Sequence, residues 1–330
     1  MSKREKRFSF YFLFGLALVT VMGWCVPLEA QQPYPTKPIN LIVGFPPGGA
    51  TDIAARTLSV YLEKKWGTRV NVINKAGGNA IPAVLEVLNA TPDGYTLLAD
   101  VITSYTMIHI SLKDVPFKPT DRNILGIWGS TPDAWFVPGD SPFKSMKDVE
   151  EDAKRDPENF TWTSLGGPAP QDFCLKQFFR AIGVNVSRTK PVMSKGGAQV
   201  VAMAAGGHVK LGLSTVATTL PAVKSENIRV LAVTTKTKTR WPELPDIPTI
   251  QEAGYGSITF SGWVGVSGPQ KLPPSVIDTW SKALQEMTKD SEMISKLRTM
   301  GMEAYYLPSK EAREFVLTGI EEGSKLWSSK

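Results

Sequence analysis

The chain has 330 residues and an ordinary globular composition, with 42% hydrophobic, 21% charged and 9% aromatic positions. This length predicts two domains, each large enough to form a hydrophobic core without disulfides or metals, and it argues against a disordered or fibrous protein. Because the sequence has only two histidines and two cysteines, a zinc site or an iron–sulfur cluster would lack ligands. We therefore expect no metal and no cofactor.

Residues 1–30 have the pattern of a secretory signal peptide. Four basic residues among the first seven precede an apolar run over residues 8–26, and Ala30 is the small residue before the predicted cleavage site. The run is also long enough for an uncleaved membrane anchor, which is the competing interpretation. Lipidation at Cys25 is not favoured, because the preceding residue, Trp24, is large. The pattern predicts export to the periplasm.

The remaining chain carries a weak charge and one cysteine. The full sequence has a net charge of +6, and removing residues 1–30 takes away four basic and two acidic residues, which leaves +4. A nucleic-acid-binding protein would show a clustered basic stripe, so no nucleic-acid partner is expected. Without a second cysteine, Cys174 cannot form an intramolecular disulfide, and its apolar neighbours predict a buried position in a helix.

A β-α-β-α-β unit opens the predicted fold. The β-branched run 39–43 predicts a strand that ends in a loop with Gly48 and Gly49, and apolar residues at three- and four-residue spacing then predict a helix. Thr51 or Asp52 is its predicted N-cap, and Gly67 its predicted end.

The same module follows a second time. A strand over 70–73, a loop with Gly77 and Gly78, a helix over 81–89 and a strand over 95–101 complete the unit. This order predicts a parallel sheet, in which ligands bind at the carboxyl ends of the strands. Both glycine loops belong to that edge.

The two glycine loops are the strongest chemical signal in the sequence. Glycine lets backbone N–H groups approach a ligand closely, and a helix N-terminus adds a partial positive charge, so two adjacent loops predict a small-anion site. The alternative is that the glycines only form tight turns. Neither a dinucleotide-binding nor a P-loop pattern is present. Asp52 would repel a polyphosphate, whereas a carboxylate held partly through water is compatible with it.

Several segments together resemble the solute-binding proteins of tripartite tricarboxylate transporters, the Bug family. The similar segments are Tyr34-Pro35-Thr36-Lys37-Pro38-Ile39, residues 45–52, Asn74-Lys75-Ala76-Gly77-Gly78, residues 92–98, Lys195-Gly196-Gly197-Ala198, residues 229–234 and residues 244–254. They occur in order over nearly the whole mature chain, so the resemblance is specific.

The resemblance implies an α/β fold of the periplasmic binding protein-like type II class, with a ligand cleft between two domains. Domain 1 is predicted to comprise residues 31–131 plus 257–330, and domain 2 residues 132–256. The chain would cross between the domains near 129–132 and return near 256–263. Helical spacing over 275–300 and 309–327 predicts C-terminal helices that pack on domain 1.

The resemblance also implies which residues bind the ligand. Backbone groups of the first two loops would hold one carboxylate of an organic acid, and domain 2 would set specificity. The residues implied in domain 1 are Phe45, Gly48, Gly49, Thr51, Asp52, Ala76, Gly77, Gly78, Thr103 and Ser104. Those implied in domain 2 are Ser164, Gly167, Ala169, Asp172, Ser194 and Lys195.

Some positions depart from the family pattern, mostly in domain 2. Asp172 stands where a histidine is usual, Ser194 where an aromatic residue is usual, and Lys210 where an acidic residue is usual. In domain 1, Pro47 replaces a smaller residue. These departures leave the carboxylate site intact and change the surroundings of the ligand's distal group.

The function implied is an extracytoplasmic receptor that closes on a small organic carboxylate and delivers it to a two-component membrane permease. The receptor is expected to act as a monomer. A periplasmic sensor that reports occupancy to a membrane receptor would use the same closed state and is the alternative. A periplasmic hydrolase is less favoured, since the sequence lacks a Gly-x-Ser-x-Gly motif and a partnered histidine.

Overall fold

The computed structural model describes residues 34–166, 169–258 and 261–328. The chain divides after Thr36 into two units, and residues 34–36 are the described part of the first. The second unit, Lys37–Lys330, carries all the elements below. The predicted signal peptide and the predicted site residue Gly167 lie outside the described residues.

The first five elements form the predicted β-α-β-α-β unit. They are β1 (Ile39–Val43), α1 (Ala50–Trp66), β2 (Val70–Asn74), α2 (Ile81–Leu88) and β3 (Thr96–Val101). β1 pairs in parallel with both β2 and β3, which confirms the predicted parallel arrangement. All three strands therefore present their carboxyl ends, and the loops that follow, at one edge of the sheet.

The helix α1 begins earlier than its sequence pattern predicts. Its N-cap is Gly49, in extended conformation, so the prediction of Thr51 or Asp52 as the cap was wrong. The carboxylate of Asp52 instead accepts the backbone N–H of Gly48, one residue before the cap. The predicted end is confirmed, because Gly67 adopts a left-handed conformation with φ 66° as the C-cap.

The chain then continues through the centre of the same sheet. A π-helical segment over Thr103–Met107 leads into α3 (Ile108–Ser111) and then β4 (Arg122–Thr131). One residue, Pro132, separates β4 from β5 (Asp133–Pro138), which belongs to a different sheet.

The middle of the chain builds two smaller sheets. The three-stranded sheet has the antiparallel order β8-β5-β9, and the two-stranded sheet pairs β6 with β7 in parallel. Their elements are α4 (Met146–Arg155), β6 (Thr161–Ser164), α5 (Pro170–Ala181), β7 (Lys190–Met193), α6 (Gly197–Ala205), β8 (Gly212–Thr215), α7 (Val216–Lys224) and β9 (Ile228–Thr234).

The last part of the chain returns to the first sheet. Its elements are β10 (Gly262–Pro269), α8 (Pro274–Met287), α9 (Ser291–Thr299), β11 (Glu303–Pro308) and α10 (Ser309–Ser328). Strand β10 lies antiparallel between β3 and β4, which gives the six-stranded order β11-β4-β10-β3-β1-β2. The helical segment predicted over 275–300 is two helices, because the side chain of Asp290 caps α9 at the backbone N–H of Met293.

The final helix contacts both halves of the molecule. Ala312 and Val316 of α10 are buried in a core cluster that also contains Trp263 of the six-stranded sheet and Trp135 of the three-stranded sheet. Farther along, the Trp327 ring stacks on Phe173 of α5, with ring centroids 5.5 Å apart. The C-terminal helix packs on the first sheet as predicted, and in addition it joins that sheet to α5.

Two further properties bear on function. Cys174 is buried within α5, which confirms the position predicted for it. Within the described ranges, no helix combines the length and apolar character that crossing a membrane requires. The division into domains at residues 131, 132, 256 and 257 stays a prediction.

Candidate functional site

The first two glycine loops lie side by side, as predicted. The carboxylate of Asp52 accepts hydrogen bonds from the Gly48 backbone N–H and from the Asn74 amide, each at 2.9 Å. The same Asn74 amide donates to the carbonyl oxygen of Phe45 at 3.1 Å. Asn74, the last residue of β2, therefore ties the second loop to the first.

The charge of Asp52 is held inside this arrangement. A hydrogen bond from the Arg56 side chain, with smaller contributions from Gly48 and Asn74, lowers the pKa of the Asp52 carboxyl to about 2. The carboxylate is buried and ionised at neutral pH, and its hydrogen bonds fix the loop. Asp52 therefore stabilises the loop. The sequence alone did not distinguish this structural role from direct contact with the ligand.

The second loop has an unusual backbone. Gly77 and Gly78 have φ values of 118° and 52°, and Asn79 and Ala80 continue the run with φ values of 55° and 66°. Gly44 packs so closely on this segment that a Cβ on Gly44 would lie 2.3 Å from that of Ala80. The two loops are in direct contact, and only glycine fits at Gly44.

The lysine of the second loop has a partner outside the loop. The ammonium of Lys75 lies 2.6 Å from a carboxylate oxygen of Glu86 on α2. Both side chains are partly exposed, so the pair is a surface ion pair of small energetic value. Lys75 is thus directed to a helix surface, while its backbone N–H donates to the carbonyl oxygen of Val43.

The two predicted site residues that follow β3, Thr103 and Ser104, have different environments. Thr103 lines the large cavity described below, whereas Ser104 is buried and its hydroxyl donates to Asp100 at 2.6 Å. Asp100 also accepts from Arg122 at 3.0 Å, and Arg122 in turn donates to the carbonyl oxygen of Ser104 at 2.6 Å. Ser104 therefore helps fix the turn that presents Thr103.

Asp172 organises the loop after β6. Its carboxyl oxygens accept from the Ser164 hydroxyl at 2.6 Å and from the backbone N–H groups of Leu165 and Gly166 at 2.9 and 3.1 Å. Burial raises the pKa of this carboxyl, and these hydrogen bonds oppose the effect. Like Asp52 in the first loop, Asp172 holds the backbone of its loop from the inside.

The remaining residues predicted in domain 2 lie around the same loop. The backbone N–H of Ser194 donates to the carbonyl oxygen of Ser164 at 2.8 Å, and Ala169 is the N-cap of α5. Ser194 is buried. Lys195 is exposed, and its backbone N–H donates to the Gln199 side chain at 2.8 Å.

A cavity of about 530 Å³ lies between the loops of the six-stranded sheet and the segments that follow strands of the two smaller sheets. From the first side it is lined by Phe45, Ala50, Thr51, Ile53, Val101, Ile102, Thr103, Thr131, Gly262, Trp263, Val264, Met300, Gly301 and Met302. From the other side it is lined by Pro170, Gln171, Thr215, Ala217 and Thr218. Of the predicted residues, Phe45, Thr51 and Thr103 belong to this lining.

Three helices direct their first turns into the cavity. Thr51 lies in the first turn of α1, Gln171 in that of α5 and Thr218 in that of α7. Each helix N-terminus carries a partial positive charge, but not every first-turn N–H group is available to a ligand. The helix α5 begins with Pro170, which has no N–H, and in α7 the N–H of Val216 donates to the carbonyl oxygen of Pro132. None of the described lining residues has an ionisable side chain, so backbone dipoles and threonine hydroxyls dominate the polarity of the wall.

Sequence reasoning missed several lining residues. Thr215 is the last residue of β8 and Thr218 lies in the first turn of α7, so both belong to a strand-to-helix junction, and this local pattern could have identified them. Met300 and Met302 lie in the turn between α9 and β11, and no local pattern marks that turn as part of the cavity. Gln171 lies between two predicted residues and was overlooked.

The cavity is narrow at one point. Gly301, on the side of the six-stranded sheet, lies so close to Ala217 of α7 that a Cβ on Gly301 would be 2.3 Å from that of Ala217. The two sides of the cavity are therefore in contact there.

No group of three or more histidine, cysteine, aspartate or glutamate side chains in residues 34–166, 169–258 and 261–328 could hold a metal ion.

Comparisons with known proteins place this chain in a family. Residues 54–327 match the model of the tripartite tricarboxylate transporter family receptor. A curated relative from Agrobacterium vitis, the UPF0065 protein in the TAR-I ttuE-ttuC' intergenic region, is 27% identical over 291 residues, covering 88% of this chain and 82% of the relative.

Solved structures agree in fold. The periplasmic binding protein BugD is 26% identical, with a TM-score of 0.67 over 89% of this chain and 97% of BugD. R. palustris Rpa4515, solved with adipate, is 24% identical, with a TM-score of 0.72 over 89% of this chain and 98% of that protein. The predicted two-domain, periplasmic binding protein-like α/β fold is confirmed. The chain belongs to the tripartite tricarboxylate transporter receptor family, the Bug family.

Proposed function

We propose that this protein is a periplasmic receptor that captures a small organic carboxylate in the cavity between its two domains and delivers it to a two-component membrane permease. The domains proposed are residues 31–131 plus 257–330, and residues 132–256. The receptor binds its ligand without changing it chemically and acts as a monomer.

The observation that carries this proposal is the convergence of three helix N-termini on one cavity, in which none of the described lining residues has an ionisable side chain. A carboxylate there would be stabilised by the partial positive charges at the N-termini of α1, α5 and α7 and by hydrogen bonds from threonine hydroxyls. The volume of about 530 Å³ lies within the range of small-molecule sites and suits a short-chain acid. A neighbour of the same fold was solved with adipate, which has this chemistry.

The two glycine loops would contribute the rest of the carboxylate site. In this proposal the exposed segment Ala76, Gly77 and Gly78 contacts the ligand through its backbone, directly or through water. Gly48 differs, since its N–H already donates to Asp52. The contribution of the first loop therefore shifts to the first turn of α1, at Thr51.

A thermal-shift panel of mono-, di- and tricarboxylates, with adipate included, tests the proposal. A ligand at a hundredfold excess over its Kd stabilises the native state by about 2.7 kcal/mol. At about 2 cal/mol/K of unfolding entropy per residue, this raises the Tm of a chain of this size by about 4–5 °C. No shift with any acid, or consumption of the acid seen by mass spectrometry, would contradict a carboxylate receptor.

Two cellular experiments complete the test. Intact-mass analysis of the periplasmic fraction should give a chain that starts near residue 31; a chain that retains residues 8–26 in the membrane fraction would contradict the proposed periplasmic receptor. Uptake of the identified acid should require both this protein and its membrane permease. Signalling without uptake would favour the sensor alternative.

A further inference from the structure

A fully buried carboxyl group stands beside the cavity. Asp133, the first residue of β5, follows Pro132 directly after the chain leaves the six-stranded sheet, and its side chain has no solvent exposure. One oxygen, Oδ1, accepts a hydrogen bond from the Gln171 side-chain amide at 2.8 Å. The other, Oδ2, has no hydrogen-bond partner among the described residues.

Gln171 connects this acid to the ligand space. It is the second residue of α5 and lines the cavity, whereas Asp133 is not part of the lining. A single side-chain amide therefore lies between a buried carboxyl group and the position where a ligand would bind. In register with Asp133, the adjacent strands present Thr215 and Thr234, neither of which is ionisable.

The carboxyl of Asp133 can exist in both protonation states near neutral pH. Burial raises its pKa to about 7, and the hydrogen bond from Gln171 offsets only part of the effect. The charge of Asp133 also acts on the Cys174 thiol of α5, whose own pKa burial raises well above its ordinary value, so the thiol is neutral. The charges of Asp172 and Lys236 act on the same thiol, in opposite directions.

The protonation state of Asp133 determines whether it can bind the oxygen end of the Gln171 amide as well as the nitrogen end. An ionised carboxylate only accepts hydrogen bonds, so it needs the Nε2 donor that the structure shows. A protonated carboxyl has an O–H of its own and can donate it to Oε1 of Gln171. The amide would then present Oε1 to Asp133 and its N–H groups to the cavity.

We propose that Gln171 is a specificity-determining residue whose orientation Asp133 sets: uptake of one proton from solvent by Asp133 turns the amide so that it donates to a carboxylate in the cavity. Asp133 acts as the positioning residue and Gln171 as the ligand contact. The second part of this inference, the contact between Gln171 and the ligand, rests on the proposed function, because it assigns one polar contact of the same carboxylate.

Two forces link the proton to the ligand in the same direction. A bound carboxylate is repelled by an ionised Asp133 and by the Oε1 that the amide then turns toward the cavity. It is attracted by the amide N–H groups that the protonated form allows. Carboxylate binding should therefore take up a proton above about pH 7, and affinity should fall as the pH rises.

The first experiment needs no ligand. In the purified protein, the side-chain amide resonances of ¹⁵N-labelled Gln171, identified by their loss in Gln171→Met, should shift with a midpoint near pH 7. In Asp133→Asn they should not titrate in this range. The control resonance is that of Gln199, whose side-chain oxygen accepts a hydrogen bond from the backbone N–H of Lys195 and not from an acid. It should not shift in this pH range.

The second experiment measures binding by calorimetry, with adipate or another acid from the carboxylate panel as probe. Above about pH 7, the Kd of the unmodified protein should rise by up to about tenfold per pH unit, and the binding heat should depend on the ionisation heat of the buffer. Asp133→Asn offers an amide donor permanently, so its Kd should not depend on pH. Asp152→Asn, at a buried acid paired with Lys210 outside the cavity, should keep the unmodified pH dependence.

The outcomes separate this inference from the proposed function. A Gln171 amide that does not titrate near pH 7, or adipate binding without proton uptake, would overturn the inference and leave the receptor standing. A titrating amide in a protein that binds no carboxylate of the panel would overturn the proposed function and support the role of Asp133 in orienting Gln171. If Asp133→Asn fails to fold, Gln171→Met still decides the question. It removes the amide and leaves only direct repulsion by Asp133, so the pH dependence of binding should be smaller than in the unmodified protein, and an undiminished pH dependence would overturn the inference.

Discussion

The contact between Gly301 and Ala217 predicts that one methyl group should hold the receptor open. Carbon atoms in ordinary contact lie 3.4–4 Å apart, whereas the Cβ of alanine at position 301 would lie 2.3 Å from that of Ala217. The two sides would have to separate by about 1 Å. Forcing such an overlap typically costs about 1–3 kcal/mol, and this cost applies only while the two sides of the cavity are in contact, as they are in this structure. Gly301→Ala should therefore weaken ligand binding about 5- to 150-fold.

A second glycine provides a matched control. Gly67 has φ 66°, close to the φ 68° of Gly301, but a Cβ there would have no atom within 4 Å. It lies at the far end of α1, about 24 Å along the helix from Thr51. Alanine in this left-handed conformation costs about 1–2 kcal/mol in either variant. Both variants should lose similar stability, and only Gly301→Ala should lose affinity.

Calorimetry and small-angle scattering check this prediction together. With the ligand found in the carboxylate panel, the unmodified protein and Gly67→Ala should contract on binding, and the fluorescence of Trp263 in the cavity wall should change. Gly301→Ala should show a smaller contraction and a larger Kd. If Gly301→Ala binds with unchanged Kd, or if Gly67→Ala is equally impaired, the contact does not report domain closure.

Three further predictions follow from named contacts. Gly78→Val should abolish carboxylate binding in calorimetry, because position 78 has φ 52° and a Cβ there would lie 3.3 Å from a ring carbon of Pro82. Lys75→Ala should bind normally, since its ammonium pairs with a glutamate on α2. The reverse ranking would refute a backbone carboxylate site. Arg122→Met should lower the free energy of unfolding by about 3–5 kcal/mol in urea titrations, because it leaves the buried carboxylate of Asp100 without its cation. The double variant with Asp100→Leu should recover part of this loss, and additive losses would contradict the pairing. Because the pKa of Asp133 is raised, the folded state holds its proton more tightly than the unfolded state does. The free energy of unfolding should therefore fall by at most about 4 kcal/mol as the pH rises from about 4 to about 7. Asp133→Asn should remove this dependence of stability on pH, and an unchanged dependence would show that the carboxyl ionises normally.

Local sequence patterns determined most of the secondary structure of the first sheet. The run Ile39–Val43 has strong β propensity and forms β1 with the predicted limits, and Gly67 ends α1 because only glycine adopts its backbone conformation without strain. The limits of β1 and the end of α1 depend on residues that are neighbours in the sequence, so each can be predicted from its own short segment. The family resemblance supplied the rest of the architecture.

Tertiary structure decided how the candidate site is built. Asp52 and Ser104 have partners from other parts of the chain, Asn74 for the first and Arg122 for the second. These contacts occupy polar groups that the sequence leaves available for a ligand. Gly301 reaches the cavity only because α9 and β11 bring it against α7. Asp133 acquires its pKa of about 7 from burial. Side-chain partners, close contacts and desolvation arise from residues far apart in the sequence, and so they are determined only when the chain has folded.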